Sequence, residues 1–319
     1  MQDVANRANV SAMTVSRVLN GLPGVSPATA HAVTTAAEAI GYRKNELARS
    51  LRPGQQSKTI ALVIGDISNP YYGVMAQAIE TEARNAGFAL VIMSTNEEPA
   101  AERSRINDLL ARRVDGVILV TCDASHQYLA RDLESGVAIV FVDRPPQDLK
   151  ADTVLANDRI GGHAATEELL LRGHTSIGYL GDYDHVHTAT ERLAGFFDAM
   201  KESAIEPRFV QMGVHTRGVA ERVVRGWLNA NQPPTALVAG NNLIASGAQA
   251  AVSSMAVDTE LVGFDFLPDS KLRIRIGHDV AALGARAAER LFEQMAGVDR
   301  EPTTDVFPLQ ISRLVDGVT

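Results

Sequence analysis

Seven short apolar runs dominate the sequence from residue 59 onward, and each is bounded by Gly, Pro, Asn or Asp. They alternate with stretches of helical periodicity, which is the pattern of buried parallel strands joined by helices. The pattern predicts an α/β body with doubly wound parallel sheets. The runs are TIALVIGD, FALVIMS, GVILVT and AIVFVD in the first half, then SIGYLGD, TALVAG and ELVGFD in the second.

Polar residues stand at the carboxyl ends of several runs: Asp66, Asp143 and Asp265, with Asn241 just after ALVAG. Ligands of open α/β sheets bind outside the carboxyl ends of the strands. The sequence therefore predicts a ligand cleft between two such sheets. A dinucleotide fingerprint, a phosphate loop, a nucleophile elbow and an H-E-x-x-H motif are all missing from the sequence. We therefore expect neither a cofactor nor an enzyme.

Three short helices are predicted before residue 42. Asp3 is expected to cap the first helix, Asn9 to end it in the left-handed conformation that asparagine tolerates, and Ser11 to cap the second. Ser26 and Pro27 supply a cap and a first-turn proline for the third, which stops at Gly41. The apolar positions expected to form one small core are Val4, Ala5, Ala8, Val15, Val18, Leu19, Val33, Ala37 and Ile40.

The second helix leaves a contiguous face exposed, made of residues spaced by three and four. Helix, tight turn and second helix follow the helix-turn-helix plan, in which the start of the second helix reaches base edges. Arg17 is the candidate for two hydrogen bonds to guanine, and Ala12 and Met13 for apolar contact with a thymine methyl. Phosphate contacts or backbone capping are expected of Ser11, Thr14, Ser16 and Asn20. The alternative is an ordinary helical bundle with a solvated charged face.

Charge is distributed unevenly along the chain. The formal net charge of the whole sequence is −8, but residues 1–58 carry seven basic against three acidic residues, and the remainder 23 against 35. A small basic region on a large acidic body is expected when only one end of the chain meets a polyanion. We therefore expect double-stranded DNA as the partner of the N-terminal region.

Asp3-Val4-Ala5 and the run from Val10 to Asn20 match the signature D-V-A followed by V-S-x-x-T-V-S-R-x-x-N. On these residues the chain resembles the lactose/galactose repressor (LacI/GalR) family of bacterial transcription regulators. Asn9 departs from the usual glycine. The body resembles the family in DISNPYYG, RRVDGVIL, VDRPP, TERLAGF, AGNNLIASGA and LVGFD. The resemblance implies a small all-α helix-turn-helix head and a two-lobed body like that of periplasmic binding proteins.

The segment GYRKNELARSL, from Gly41 to Leu51, resembles the hinge helix of that family. A helix this short is unstable alone, because nucleation is unfavourable and few hydrogen bonds follow it. The resemblance implies that two such helices, one from each subunit of a homodimer, pair in the minor groove with Leu51 wedged into a base step. Asn45 and Ala48 are the other candidate DNA contacts here. Packing of Leu51 on the core of the head is the alternative.

The resemblance also implies an effector cleft, which seven residues are expected to line: Asn69, Tyr71, Tyr72, Asp143, Arg192, Asn241 and Asp265. A sugar-like polyol suits them, because tyrosine rings offer apolar faces while carboxylates accept from, and arginine donates to, hydroxyl groups. Structural roles stay open as alternatives: helix packing for Tyr71, capping for Asn69, a bond to Arg144 for Asp143, and an ion pair across the cleft for Arg192 and Asp265.

Two departures from the family pattern affect this cleft. Asn242 replaces the usual aspartate after Asn241. The segment QMGVHTRG lacks the aromatic residue that often stacks on the ligand, which leaves His215 nearby. The resemblance is therefore more informative about the existence of the site than about the identity of its ligand.

Ordinary roles are expected for the remaining polar clusters. His185 and His187 lack a third ligand, so no metal is expected. The pairs Glu97-Glu98 and Glu167-Glu168 are expected at solvated helix ends or faces. Cys122, the single cysteine, is expected to be a buried thiol in a reducing compartment. Because no secretion signal or long apolar segment is present, we expect a cytoplasmic protein without a membrane partner.

The function predicted from these features is that of a ligand-responsive transcriptional repressor that binds a near-palindromic operator as a dimer. A solute-binding protein of a transporter, and a sugar-modifying enzyme with Asp143 or Asp265 as base, are the alternatives. The expected domains are 1–44 for DNA binding, 45–58 for the hinge helix and linker, and 59–319 for effector binding and dimerisation. Within the last, 59–157 and 278–300 are expected to form the first lobe, and 158–277 and 301–319 the second.

Overall fold

The computed structural model describes residues 1–42, 56–265, 272–298 and 300–313. The chain divides into two units, Met1–Ser57 and Lys58–Thr319. Three of the candidate DNA contacts, Asn45, Ala48 and Leu51, lie outside the described residues. Among the helices that the structure describes, none is long and apolar enough to cross a membrane.

The described part of the first unit contains three helices: α1 (Gln2–Ala8), α2 (Ala12–Leu19) and α3 (Pro27–Ala39). Asn9 ends α1 with a φ of 52°, as predicted. The predicted caps are also present: Ser11 Oγ accepts from the amide of Thr14 at 3.0 Å, and Ser26 Oγ from that of Thr29 at 3.2 Å. One small apolar core joins the helices and buries Val4, Ala5, Val15, Val33, Ala36 and Ala37.

Two details of this unit differ from expectation. Met1, and not Asp3, precedes the first helical residue, because the Met1 carbonyl already accepts a backbone hydrogen bond of 3.0 Å from the first turn. Asp3 lies within that turn, where its carboxylate favours the positive end of the helix dipole. Ile40 is 39% exposed, because α3 ends at Ala39 and Ile40 leaves the helical face that packs on the core.

The second unit contains two six-stranded sheets, one in each lobe. The strands of the first lobe are β1 (Thr59–Ile64), β2 (Ala89–Ser94), β3 (Gly116–Leu119), β4 (Ala138–Val142), β5 (Asp152–Ala156) and β11 (Thr304–Phe307). They are all parallel, in the order β11-β5-β4-β3-β1-β2. The helices of this lobe are α4 (Pro70–Asn85), α5 (Pro99–Ala111), α6 (Ala130–Glu134) and α11 (Val280–Met295), with a 3-10 turn at Gln127–Leu129.

Both faces of β1, β3 and β4, in the middle of the first sheet, are buried, which explains why these strands are continuous apolar runs. Successive residues of a strand point to opposite faces. Ile60 and Leu62 of β1 therefore belong to the core shared with α4 and α11, whereas Ala61 and Val63 belong to the core shared with α5.

The second lobe contains β6 (Ile177–Leu180), β7 (Phe209–Gln211), β8 (Ala236–Ala239), β9 (Glu260–Phe264), β10 (Ile274–Gly277) and β12 (Gln310–Arg313). Their order is β12-β10-β9-β8-β6-β7, and every pair is parallel except β10 with β12. The helices are α7 (Asp158–Leu171), α8 (His187–Glu202), α9 (Arg217–Leu228) and α10 (Asn242–Met255). Each of the seven predicted strands is present, and the predicted parallel α/β class is confirmed.

The expected lobe boundary at residue 300 is displaced. Strand β11 pairs with β5 of the first sheet, so Thr304–Phe307 belongs to the first lobe and not to the second. Asp305 explains the placement, because it forms ion pairs of 2.7 Å with both Arg286 and Arg290 of α11. The chain then enters the second sheet at β12.

Glu168 contradicts the expectation of a solvated carboxylate pair. It is buried on α7, where it accepts hydrogen bonds from Arg172 and Arg313. Arg313 lies on β12, so this ion pair fixes the final described strand to the lobe that it enters. Burial of a carboxylate is tolerated here because two guanidinium groups pair with it.

Candidate functional site

A polar cavity lies between the two lobes, at the carboxyl ends of their strands. All seven residues of the predicted effector cleft line it. The position follows from topology, because the loops after β1, β4, β6, β8 and β9 converge there. The cavity has a free volume of about 40 Å³. The residues that line it, beyond those predicted, include Asp66, Glu97, Arg144, Asp182, His215 and Asn242.

The wall on the first lobe is formed by the start of α4 and the end of β4. Asn69 caps α4, since its Oδ1 accepts from the amide of Tyr71 at 3.1 Å. The Tyr71 hydroxyl donates to Asp143 Oδ1 at 2.7 Å, and His278 Nε2 lies 3.0 Å from the same hydroxyl. Burial and the adjacent Asp143 raise the pKa of Tyr71 well above its ordinary value, so the hydroxyl stays a donor. Tyr71 thus both packs in the core and orients an acid in the cavity.

Arg144 is the buried cation of this wall. It donates to both oxygens of Glu97, at 2.6 and 2.9 Å, and to the Thr121 carbonyl at 3.0 Å. Glu97 is only 8% exposed, so the expectation that it is solvated is wrong. Asp143 Oδ2 lies 3.7 Å from Arg144 Nε, whereas Asp143 Oδ1 accepts from the Tyr71 hydroxyl at only 2.7 Å. Sequence reasoning missed Arg144 and Glu97 as cavity residues, because they are 47 positions apart.

Arg192 is the corresponding cation of the second lobe. Its Nε donates to Asp158 at 2.6 Å, and its Nη1 donates to the Gly240 carbonyl at 2.8 Å and to Asp265 Oδ2 at 3.0 Å. Its guanidinium also lies over the Phe264 ring, 4.4 Å from the centroid. Arg192 and Asp265 belong to the same lobe, so their ion pair does not cross the cleft as the alternative reading supposed.

Asp265 carries an unused acceptor. Its Oδ1 is buried and has no hydrogen-bond partner among the described residues. A buried carboxylate oxygen without a donor is costly, and such atoms in native structures call for an explanation. Its neighbour Asp158 has a pKa raised to about 7, chiefly by burial and against the attraction of Arg192. Asp158 therefore takes up a proton more readily than an ordinary aspartate, while Asp265 Oδ1 remains the acceptor that faces the cavity.

Asp182 organises the remaining corner of the cavity. Its Oδ1 lies 2.8 Å from His215 Nδ1, and its Oδ2 accepts from Asn241 Nδ2 at 2.8 Å. Asn241 also caps α10 through its own Oδ1. The hydrogen bond to Asp182 raises the pKa of His215. His215, in the segment expected to lack the aromatic residue that often stacks on the ligand, is itself stacked on Tyr183, with ring centroids 4.7 Å apart.

A hydrogen bond between two described asparagines joins the lobes across the cavity. Asn242 Nδ2, at the start of α10, donates to Asn69 Oδ1, at the start of α4, over 2.7 Å. Asn242 Oδ1 accepts from the amide of Leu243, which leaves its Nδ2 to face Asn69. We call this pair the lobe clasp. The usual aspartate at position 242 has no donor in its ionised form, so the departure noted in the sequence permits this contact.

On the exposed face of α2, some of the predicted side chains project into solvent and others are engaged in local hydrogen bonds. Met13 is 74% exposed, and Arg17 is exposed with Nη2 against the Pro23 carbonyl. Ser11 and Thr14 are occupied in the cap of α2, while Asn20 Nδ2 donates to the Ser16 carbonyl at 2.7 Å. Ala12 is partly buried. Met13 and Arg17 are therefore the side chains that project most from this face.

In the part of the chain that the structure describes, no group of three or more His, Cys, Asp or Glu side chains could hold a metal ion. His185 stacks on Tyr183, with centroids 5.3 Å apart. Cys122 is buried, as expected, and desolvation raises the pKa of its thiol to about 12, so it is not a reactive thiolate.

Two family models match the chain. Residues 1–45 match a model described as bacterial regulatory proteins, lacI family, and residues 57–263 match periplasmic binding proteins and sugar binding domain of LacI family. The chain belongs to the LacI family. Its architecture is thus a LacI-type helix-turn-helix region followed by a periplasmic-binding-protein-like domain. The resemblance found in the sequence is confirmed, and the protein is a transcriptional regulator rather than an enzyme.

Individual LacI-family members match over nearly the whole chain. GalR of Salmonella typhimurium is 32% identical, over 91% of this chain and 87% of that protein. The repressor PurR of Mannheimia succiniciproducens is 30% identical, over 98% of this chain and 97% of that protein. A crystal structure of the Lac repressor dimer bound to operator and the anti-inducer ONPF has a TM-score of 0.84 at 25% identity, covering 98% of this chain and 96% of that one. LacI-family regulators bind DNA operators and small-molecule effectors, and this regulator shares both parts.

Proposed function

We propose that this LacI-family regulator is a homodimeric repressor whose operator affinity is set by a sugar-like effector bound between its lobes. The effector half rests on Asp265 Oδ1, which lies beside Arg192 inside the interlobe cavity and has no partner among the residues that the structure describes. A ligand hydroxyl donating to Oδ1 satisfies the buried oxygen, and the cavity offers many other acceptors and donors for hydroxyl groups.

The proposed division of labour follows the two units. Residues 1–44 read DNA, 45–58 form the hinge helix and linker, and the remainder binds effector and the second subunit. Arg17 and Met13 are the proposed base-reading residues, with Ala12 beside them. Ser11, Thr14, Ser16 and Asn20 position the helix on phosphates, and Asn45, Ala48 and Leu51 act in the minor groove.

Homodimerisation is proposed from the geometry of DNA. A helix-turn-helix dimer binds two half-sites one helical turn, roughly 34–36 Å, apart, so the operator repeats the two-fold symmetry of the protein. The Lac repressor structure described above is a dimer on its operator, which supports the same arrangement here.

The mechanism proposed is a shift between two arrangements of the lobes. An effector alters operator affinity only to the extent that it binds one arrangement more tightly than the other. The cavity of about 40 Å³ is much smaller than the 300–1,000 Å³, roughly, of typical ligand sites. The described arrangement is therefore a closed one, and the lobe clasp must separate before a sugar enters.

The experiment is selection of random duplex DNA by the full-length protein, followed by titration of the selected site with and without sugars and nucleosides. We expect a near-palindrome with a flexible pyrimidine–purine step at its centre, and a compound that changes its affinity. Sedimentation of the protein alone should give a dimer. Failure to enrich any sequence at moderate salt contradicts the DNA half, and a selected site with one half-site only contradicts the dimer.

A further inference from the structure

A second cavity lies beside the segments where the chain crosses between the lobes. Its volume is about 430 Å³, within the range of roughly 300–1,000 Å³ that is typical of ligand sites. It is lined by residues 277–279, which lead from β10 to α11, and by Gln310, where the chain enters β12 from β11. We call this space the crossover cavity. In the described arrangement of the lobes it already has room for a small molecule.

Both lobes supply the walls of the crossover cavity. Tyr71 and Val74 of α4 belong to the first lobe, as do Val280 and Ala281 at the start of α11. Ile276 of β10 belongs to the second. Val74 is 48% exposed, and Ala281 is exposed as well, so the first lobe presents apolar surface here. Apolar walls at a boundary between compact units are the usual setting of a small-molecule site.

His278 supplies the crossover cavity with an unused acceptor. The Tyr71 hydroxyl has one hydrogen, which it donates to Asp143 Oδ1 at 2.7 Å. Since His278 Nε2 lies 3.0 Å from the same hydroxyl, the proton that joins them belongs to Nε2. Burial lowers the pKa of His278, so the ring is neutral near pH 7 and its Nδ1 is an acceptor. This Nδ1 is buried and has no hydrogen-bond partner among the residues that the structure describes.

The charged side chains that line this cavity have contacts of their own. Asp279 Oδ1 accepts from the amide of Ala282 at 2.9 Å as the cap of α11. Arg275 Nε donates to the Leu272 carbonyl at 3.2 Å, and Asp265 Oδ2 accepts from an arginine of α8 at 3.0 Å. An uncharged ligand leaves these contacts in place, whereas a charged one would have to break them to find a counterion. The surroundings therefore favour an uncharged ligand.

We propose that the crossover cavity is a second ligand site, and that it takes a small uncharged compound with an apolar ring and one hydroxyl or N–H that donates to His278 Nδ1. A buried acceptor without a donor is costly, and such a ligand removes that cost. Val74, Ala281 and His278 line this cavity and not the interlobe cavity, although Tyr71 and Asp265 line both. The inference goes beyond the proposed function and does not depend on the identity of the effector.

Binding at this site is coupled to movement of the lobes. The Tyr71 hydroxyl joins His278, in a crossing segment, to Asp143 of the effector cleft. Crossing segments absorb the backbone changes when lobes move, so a ligand packed against both lobes binds their described arrangement more tightly than a separated one. Occupancy of the crossover cavity therefore favours closure, and we expect it to slow hydrogen exchange at the lobe clasp.

The test uses matched pairs of compounds on the full-length protein, with nuclear magnetic resonance titration as the readout. The pairs are indole and N-methylindole, phenol and anisole, and cyclohexanol and its methyl ether. Within each pair the rings are the same, but only the first member has a donor. We expect at least one donor to bind about fivefold or more tightly than its methylated partner, and to shift the nitrogen resonances of the His278 ring. Equal affinities within every pair, or failure of all three donors to bind, overturn the inference.

Two variants locate the site. Ala281→Phe narrows the cavity, and because Ala281 is exposed the larger side chain is compatible with folding. We expect the affinity for the best donor to fall by about tenfold or more, since the space that it occupies is filled. Ala111→Phe, at the exposed end of α5, is the matched control and should change nothing. In His278→Phe the acceptor is gone, so both members of a pair should bind equally. A donor whose affinity is unchanged in Ala281→Phe binds elsewhere and contradicts the assignment.

The outcomes separate this inference from the proposed function. If a sugar or nucleoside binds and changes operator affinity while no donor of the three pairs binds, the second site is overturned and the effector-controlled regulator stands. A donor that binds at His278 but leaves hydrogen exchange in the first turns of α4 and α10 unchanged contradicts the coupling to closure.

Discussion

Asp265 and Asp143 share an uncommon backbone conformation at the edge of the cavity. Both directly follow a strand, and both have positive φ, 58° and 68°. Positive φ is strained for most residues, although Asp and Asn tolerate it, and such residues concentrate at ligand sites. The conformation turns these side chains away from the sheet edge, which is why a strand-end aspartate becomes a cavity acid here.

Asp265→Asn is the informative substitution at this position, because asparagine keeps both the shape and the tolerated backbone conformation. It replaces a charged acceptor by a neutral one, so we expect a loss of about 1–1.5 kcal/mol of effector binding, the difference between a hydrogen bond to a charged group and one to a neutral group. Operator binding without effector should persist. Calorimetry with the tightest-binding compound among the sugars and nucleosides measures effector affinity, and operator titration measures operator binding.

The control for this substitution is Asp198→Asn, which alters an exposed ion pair outside the cavity. Unchanged effector affinity in Asp265→Asn removes Asp265 from the site. Loss of operator binding in the effector-free variant would show that the substitution disturbs folding or the resting arrangement of the lobes.

Arg17→Ala tests the DNA half of the proposal at the residue scale. Arg17 is exposed on α2 and contacts the Pro23 carbonyl, and under the proposal it exchanges this contact for a base edge on DNA. We expect a cost of roughly 1–3 kcal/mol in operator binding and relaxed preference at one base pair, with effector affinity unchanged. Competition binding against a set of single-base operator variants measures both.

Arg105→Ala supplies the matched control, since Arg105 is an exposed arginine of α5 in the acidic body. It should leave sequence preference unaltered. If Arg17→Ala weakens binding to all sequences equally, Arg17 contacts phosphate and does not read a base.

At the scale of elements, β11 is a four-residue strand at the edge of the first sheet, where it pairs with β5 and where one of its carboxylates ties it to α11. Asp305 pairs with Arg286 Nε and Arg290 Nη2 at 2.7 Å each. These arginines hold the pKa of Asp305 at about 2, below its ordinary value of 3.8. A depressed folded-state pKa gives stability that is present above the unfolded value and is lost as the pH falls through the folded one.

Asp305→Asn should therefore lower the unfolding temperature of the body at pH 7, and this difference from the native chain should shrink as the pH falls from about 5 towards 2. Calorimetric unfolding across that range measures it. Asp198→Asn, which removes the exposed ion pair with Arg159, should change the unfolding temperature little, because solvent screens surface ion pairs. A difference that stays constant with pH would mean that Asp305 stabilises β11 by packing and not by charge.

At the scale of the whole molecule, the lobe clasp is the contact most directly tied to opening of the cleft. Asn242→Asp replaces the donor by a carboxylate that faces Asn69 Oδ1, so the hydrogen bond is lost. A net contribution of about 0.5–1.5 kcal/mol corresponds to a roughly two- to tenfold shift towards the open arrangement. We expect faster hydrogen exchange in the first turns of α4 and α10, and faster effector association.

Asn229→Asp, at the exposed end of α9, is the control for the change of amide to carboxylate. Exchange rates in the first turns of α4 and α10 that match those of the native chain would show that the clasp contributes nothing to closure. Slower effector association in Asn242→Asp would mean that Asn242 itself contacts the ligand.

Local sequence determined much of this architecture. Caps at Ser11, Ser26 and Asn69, the left-handed Asn9 and seven apolar strands were all predictable, because each depends on residues within a few positions of one another. The cavity was also predictable, because polar groups at the carboxyl ends of parallel strands lie at the same edge of a sheet. Asp182 ends the run SIGYLGD and carried the same signal as Asp66, Asp143 and Asp265.

Five strands escaped prediction, namely β5, β7, β10, β11 and β12. They have only three to five residues, and several carry charged side chains that break the apolar pattern, as Asp152 does in β5 and Asp305 in β11. Their identity as strands depends on which neighbour they pair with. Local periodicity contains no information about that neighbour, so β11 was assigned to the wrong lobe.

The tertiary structure alone decided the electrostatics of the site. Glu97 with Arg144, Asp158 with Arg192, and Asn69 with Asn242 are pairs separated by 47, 34 and 173 positions. Whether a carboxylate is solvated or buried against an arginine is set by such distant partners, as the burial of Glu97 illustrates. The sequence by itself therefore determined the family, the three N-terminal helices, the seven apolar strands and the place of the cleft. The folded chain decided how the charges in the cleft are paired, because ion pairing depends on distance in space and not along the chain.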